Sequence, residues 1–135
     1  MEEYADTGLV RFEYNHFAFL GPESTAAAEA SECAAEQDMF WAYHDTIFLN
    51  HEGENVGTYS DPALKTFANA LGLDQDQFDD CFDSRKYRTD VQVDLAEGRE
   101  AGVNSTPTIF VNGQIVEGSV SFERLQQIIG SIVGG

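Results

Sequence analysis

Two cysteines, three histidines and one threonine–proline step are the residues of this 135-residue chain whose types could carry chemistry. A cysteine pair does redox work when one thiolate attacks a disulfide and a nearby thiol resolves the product. A Cys-x-x-Cys spacing at a helix start suits that work, because the dipole and the partner sulfur lower one thiol's pKa. Cys33, in ASECAAEQ, and Cys81, in FDDCFDS, do not have that setting, since each stands within a helical stretch among apolar neighbours and far from the other. Buried free cysteines behave as small hydrophobes, so on the residues alone both read as structural. His16, His44 and His51 form no pair at ligand spacing, which predicts no metal site. Asp45 falls on a different helix face from His44, so no acid–base pair is expected there. The chain has no nucleophile elbow, phosphate loop or dinucleotide fingerprint, and no cofactor is expected.

The threonine–proline step stands in STPTIFVNGQIVEG, Ser105 to Gly118. Pro107 has no N–H to donate, so it belongs at the first residue of a strand or on an edge. Thr108 to Val111 favour strand, Asn112-Gly113 is the dipeptide preferred in a type I′ turn, and Gln114 to Glu117 supply the returning strand. The stretch predicts a β-hairpin introduced by Thr-Pro.

The elements that must position these residues follow from periodicity. Val10, Phe12 and Tyr14 alternate with Arg11, Glu13 and Asn15, predicting a first strand over 9–19. Gly21-Pro22-Glu23-Ser24 opens a long alanine-rich helix that runs on through DMFWAYHDTIF, with Phe40, Trp41, Ile47 and Phe48 expected to face a core. Ser60-Asp61-Pro62 opens a second helix carrying Leu64, Phe67, Ala68 and Leu71, and Gly72 closes it. Asp74 caps a shorter helix, and Ser84 is the expected cap of the next, on which Tyr87, Val91 and Leu95 recur every four residues. A last amphipathic helix carries Phe122, Leu125, Ile128, Ile129 and Ile132.

Composition bounds the rest. There are 24 acidic residues against 7 basic ones, of which only Lys65 and Lys86 are lysine, giving a formal net charge of −17. Such a surface repels nucleic acid and anionic membranes, and neither is an expected partner. The acidic start MEEYADTG does not read as a signal peptide, and no apolar run is long enough to span a membrane. Scarce lysine with abundant carboxylate points to a source high in salt.

The order strand, helices, hairpin, helix, together with LVRFEYNHFAFLGPES, AAAEASECAAEQDMFWAYHDTIF, DDCFDSRKY and DLAEGREAGVNSTPTIFVNG, resembles the DsbA-like branch of the thioredoxin superfamily over nearly the whole chain. The resemblance implies an α/β fold of thioredoxin type with a DsbA-type helical insertion, here missing the N-terminal central strand and the Cys-x-x-Cys. It divides a single partial domain, 1–135, into a strand (9–19), a helical insertion (22–103), and a cis-proline loop, hairpin and final helix (105–135). It implies a cis Thr106–Pro107 bond in a loop where Ser105, Thr106 and Pro107 receive an extended or unfolded polypeptide. It also implies that Cys33 and Cys81 can face each other as a structural disulfide. Full-length members are usually extracytoplasmic.

Two functions fit these expectations. One is the substrate-binding and helical part of a thiol-disulfide oxidoreductase, itself redox-inactive and with no catalytic residue in this chain. The other is a non-enzymatic peptide-binding or self-assembling module. A missing central strand leaves backbone groups beside it unmade, and pairing between chains would satisfy them, so a homo-oligomer is expected whose interface includes Leu9 to Tyr14 or the apolar surface beside it. The charge gives a first test. The thermal midpoint should climb from low salt to molar potassium chloride, where the screening length falls to about 3 Å; a flat or falling midpoint would leave only a plain acidic domain.

Overall fold

The computed structural model describes residue 8 and residues 10–52, 56–116 and 121–133. The chain divides into two compact units, one of His16–Ala101 and one of Met1–Asn15 with Gly102–Gly135. The first is helical: α1 (Pro22–Ala35), α2 (Phe40–Leu49), α3 (Asp61–Ala70), α4 (Gln75–Asp83) and α5 (Arg88–Glu100). The second holds the antiparallel pair β1 (Phe110–Val111) and β2 (Gln114–Ile115), followed by α6 (Phe122–Val133).

The centre of the helical unit is α1, which packs against each of the other four helices. Its buried positions are mostly small, Ala27, Ala28, Ala30, Ser31, Cys33 and Ala34, and small side chains let neighbouring axes come close. The large groups come from the partners. Tyr43, Leu64, Phe78 and Phe82 are fully buried, with the Tyr43 and Phe78 ring centroids 5.7 Å apart. The Tyr43 hydroxyl donates to the Leu64 carbonyl at 2.8 Å, so the buried phenol is satisfied, and burial holds its pKa well above the usual range for tyrosine.

The expected single helix from Pro22 to Phe48 is two helices. At the end of α1 the Met39 N–H donates to Ala34 and the Asp38 N–H to Ala35, and Asp38 has φ 58°. These are the two bonds of a Schellman turn, with Asp38 in the left-handed position that glycine usually fills. The same pair of bonds closes α3 at Gly72 and α4 at Arg85, whose φ is 54°. Rotated by this break, α2 leaves Trp41 and Phe48 exposed, contrary to expectation, and buries Tyr43 instead.

Two caps stand where the residue types put them. The Ser60 hydroxyl accepts from the Ala63 N–H and the Asp74 carboxylate from the Gln77 N–H. Ser84 does not cap α5. Its hydroxyl donates to the Cys81 carbonyl at the end of α4, and α5 begins at Arg88 without a side-chain cap, because the turn through Arg85 intervenes.

The strand expected over 9–19 is also corrected: Val10–Phe19 enter no β-ladder among the described residues, and Leu9 lies outside them. Alternation favours a strand only where a neighbour offers a ladder, and the only ladder among the described residues joins β1 to β2. From His16 onward the segment belongs to the helical unit, where the His16 N–H donates to the Asp94 carboxylate at 3.1 Å.

Charged side chains join distant parts of the helical unit. Glu29, 1% exposed, accepts from Arg85 Nη1 at 3.3 Å and from Arg88 Nε at 3.1 Å. Arg85 also donates to Asp61 at 2.8 Å and lies 4.7 Å from the centroid of the Phe82 ring. A carboxylate so deeply buried persists because two guanidiniums pair with it. Glu36 accepts from Lys86 and from the Tyr87 hydroxyl, which hold its pKa below the usual carboxylate value, and the same carboxylate pushes Tyr87 up to about 12.

These contacts give two tests. A lowered carboxylate pKa stabilises the fold above the unfolded value, and that contribution is lost as pH falls through the folded one. Glu36→Gln should therefore flatten the loss of stability on acidification below about pH 4.5, and an unchanged acid profile would assign the loss to other carboxylates. Tyr43→Phe, which removes one buried hydrogen bond while keeping the ring, should cost about 1 kcal/mol in chemical unfolding. A neutral result would mean that the bond to the Leu64 carbonyl adds no net stability.

Candidate functional site

The loop that the sequence singles out leads directly into β1. Ser105, Thr106 and Pro107 are exposed, the Thr106–Pro107 peptide is cis, and the Thr108 hydroxyl donates to the Ser105 carbonyl at 2.6 Å. The hairpin beyond it pairs Phe110 with Ile115 and Val111 with Gln114, and the Val116 N–H donates to the Ile109 carbonyl at 2.9 Å. Asn112 and Gly113 both have positive φ, 49° and 79°, as a type I′ turn requires at its two central residues. The returning strand is shorter than expected, and Glu117 lies outside the described residues.

Because successive residues of a strand turn their backbone groups to opposite edges, Ile109 and Val111 face β2 while Thr108 and Phe110 present N–H and C=O to the other edge. No ladder occupies that outer edge among the described residues. An exposed loop running into an open strand edge can receive an extended chain by main-chain hydrogen bonding.

The two cysteines lie in the helical unit, Cys33 on α1 and Cys81 on α4, bonded to each other with S–S 2.16 Å and Cα–Cα 5.8 Å. Both are buried. A cavity of about 420 Å³ beside Cys81 is lined by Glu36, Gln77, Asp80, Ser84 and Lys86. Its one cation, Lys86, is bound to Glu36, and that pairing ties the end of α1 to the turn after α4.

The histidines are each engaged separately. His16, buried, has Nε2 2.7 Å from Glu32 Oε1, and His51 has Nδ1 3.1 Å from the Tyr59 hydroxyl, which donates to Ile47 O. His44 and Asp45 do meet, Nδ1 to Oδ1 at 3.1 Å, although separate helix faces were expected; the contact is on the surface, where side chains adjacent in sequence can fold back on each other. No group of three His, Cys, Asp or Glu side chains among the described residues could hold a metal ion. Sequence reasoning missed the His16–Glu32 pair and the Glu29 network. Only the acidic residues inside an alanine-rich helix hinted at them.

A family model described as thioredoxin matches residues 1–131. The chain is 33% identical over 137 residues to Na(+)/H(+) antiporter NhaA 1 of Salinispora arenicola (strain CNS-205), covering 99% of this chain and 20% of that protein. It is 26% identical over 132 residues to a probable disulfide bond formation protein D of Bacillus anthracis, covering 95% of this chain and 60% of that protein. A thioredoxin-like oxidoreductase from Silicibacter pomeroyi DSS-3 superposes with a TM-score of 0.72 at 23% identity, over 90% of this chain and 68% of that one. The chain thus spans about a fifth of its antiporter relative and about three fifths of its disulfide bond formation relative. With a cis Thr-Pro loop leading into a hairpin, a helical unit of α1 to α5 and a family-model match over almost its whole length, the chain belongs to the DsbA-like thioredoxin-fold family.

Proposed function

We propose that this chain is the polypeptide-binding and helical part of a thiol-disulfide oxidoreductase, and that it does not itself carry out thiol exchange. The observation that carries the reading is the outer edge of β1, which no ladder occupies among the described residues, beside the exposed Ser105–Pro107 loop. An extended substrate pairs there with the backbone at Thr106, Thr108 and Phe110, so recognition depends on strand-forming ability more than on side-chain identity. The inactivity follows from the thiols: the chain has two cysteines, both buried and joined to each other on α1 and α4. Neither is poised at a helix start with a resolving partner.

A second reading, self-assembly, rests on the same edge and on apolar side chains of the same unit, since Phe110, Ile115, Phe122 and Ile132 are all exposed. Two copies that paired edges would cover backbone and apolar surface together.

Three measurements test these readings. The purified chain should not accelerate insulin reduction above its Cys33→Ser/Cys81→Ser variant, and turnover abolished by either single substitution would overturn the inactivity. Titration with an unfolded, alkylated polypeptide should shift the amide resonances of Thr106, Thr108 and Phe110, whereas shifts confined to the helical unit would remove the β1 edge as the site. Sedimentation at micromolar concentration should show a dimer or larger assembly, and a compact monomer would exclude self-assembly.

A further inference from the structure

In a chain with a net charge of −17, the helical unit gathers two of its seven cations around one cavity. The cavity, of about 350 Å³, is lined by Pro22, Thr25, Asp61, Arg85, Arg88 and Gln92. Both guanidiniums are anchored, Arg85 through Glu29 and Asp61 and Arg88 through Glu29. Glu29 is not part of the wall; it is buried and positions the two arginines.

The anchoring leaves donors unused. Arg88 spends only its Nε–H on Glu29, and its Nη groups make no hydrogen bond among the described residues. The Thr25 hydroxyl and the Gln92 carboxamide likewise make none there. Arg85 keeps its Nε–H and one N–H on each Nη beyond its bonds to Glu29 and Asp61. A wall with this many unspent donors, whose carboxylate, Asp61, is already tied to Arg85, is complementary to an acceptor-rich group.

The backbone acts in the same direction. Pro22, Asp61 and Arg88 are the first residues of α1, α3 and α5, so three helix N-termini meet at the cavity wall. Each brings a partial positive charge from unsatisfied N–H groups, and neither α1 nor α5 has a side-chain cap to absorb it. The Asp61 carboxylate, held by Arg85 at this spot, is what such a field selects from the protein's own side chains.

We propose that this cavity binds a phosphate group, gripped by the Arg88 Nη pair with Thr25 and Gln92 completing its hydrogen bonds. A planar guanidinium fork matches two phosphate oxygens, and these bonds are short-range. Glu29 and Asp61 offset the charge of the two guanidiniums, so the grip rests on hydrogen bonds from the unspent donors, while the more distant acidic surface is screened beyond about 8 Å at physiological ionic strength. The cavity is larger than a bare phosphate, so both the free ion and the phosphate of a small phosphomonoester fit the same chemistry.

The experiment must separate binding from screening, because any salt stabilises so acidic a chain. Thermal midpoints are compared in inorganic phosphate and in chloride at matched ionic strength, and affinity is read by isothermal titration. Phosphate should raise the midpoint beyond chloride. Arg88→Gln, which leaves Glu29 its bond to Arg85, should weaken phosphate binding by about tenfold or more. Thr25→Val, outside the ion-pair network, should weaken it by about threefold with an unchanged circular dichroism spectrum. Glycerol phosphate binding more tightly than inorganic phosphate assigns the site to an organic ester, and the reverse order assigns it to the free ion. Equal midpoints in the two salts, or an affinity that neither variant alters, would overturn the site.

Discussion

The helical unit depends on how closely other helices can approach α1. Its alanine face presents almost no side-chain volume, so the large groups that fill the core come from its neighbours: Tyr43, Leu64, Phe78 and Phe82 from α2, α3 and α4, with Tyr59 from the segment before α3 and Val91 from α5. Interior packing at crystal-like density leaves little room for change on such a face. A larger residue at Ala30 or Ala34, both fully buried, would overpack the core. The disulfide and the Glu29 network reinforce the same helix, one to α4 and the other to the turn and helix that follow it. The 48-residue separation of the two cysteines gives a closed loop of about 4 kcal/mol in the chain-entropy account.

Placing a non-glycine residue in the left-handed region costs about 1–2 kcal/mol, so the Schellman turns at Asp38 and Arg85 need compensation. At Arg85 it is visible. The turn directs the guanidinium onto the Phe82 ring and between Glu29 and Asp61, a cation–π contact and two ion pairs from one side chain. Arg85 therefore links the backbone turn after α4 to a core ring and to the charge at the cavity wall.

The smaller unit meets a different constraint. A two-stranded ribbon satisfies only one edge of each strand, and isolated hairpins are marginal in water. Its type I′ turn and the helix α6, whose Ser121 hydroxyl accepts from the Arg124 N–H, supply local order. Among the described residues no ladder covers the outer edge of β1. A strand edge of this kind offers its backbone groups to any extended segment that can pair with it.

Features governed by neighbours in sequence were legible in the residues: the caps at Ser60 and Asp74, the stop at Gly72, the Asn112-Gly113 turn and the amphipathic pattern of α3 and α6. Each depends on hydrogen bonds within about one helical turn or one hairpin, which side-chain type alone can specify. The remainder was decided in three dimensions. Whether Phe40–Phe48 continued α1 depended on a turn at Asp38, a residue with no strong preference for that conformation, and this break determined that Tyr43 rather than Trp41 entered the core. Whether Val10–Phe19 joined a sheet depended on a partner strand, and among the described residues there is none, so Phe12 and Tyr14 on the alternating apolar face stay exposed. Glu29 meets Arg85 and Arg88 across 56 and 59 positions, distances over which residue type says nothing about contact. Burial strengthens such pairs by lowering the local dielectric, and only the folded helices provide that burial.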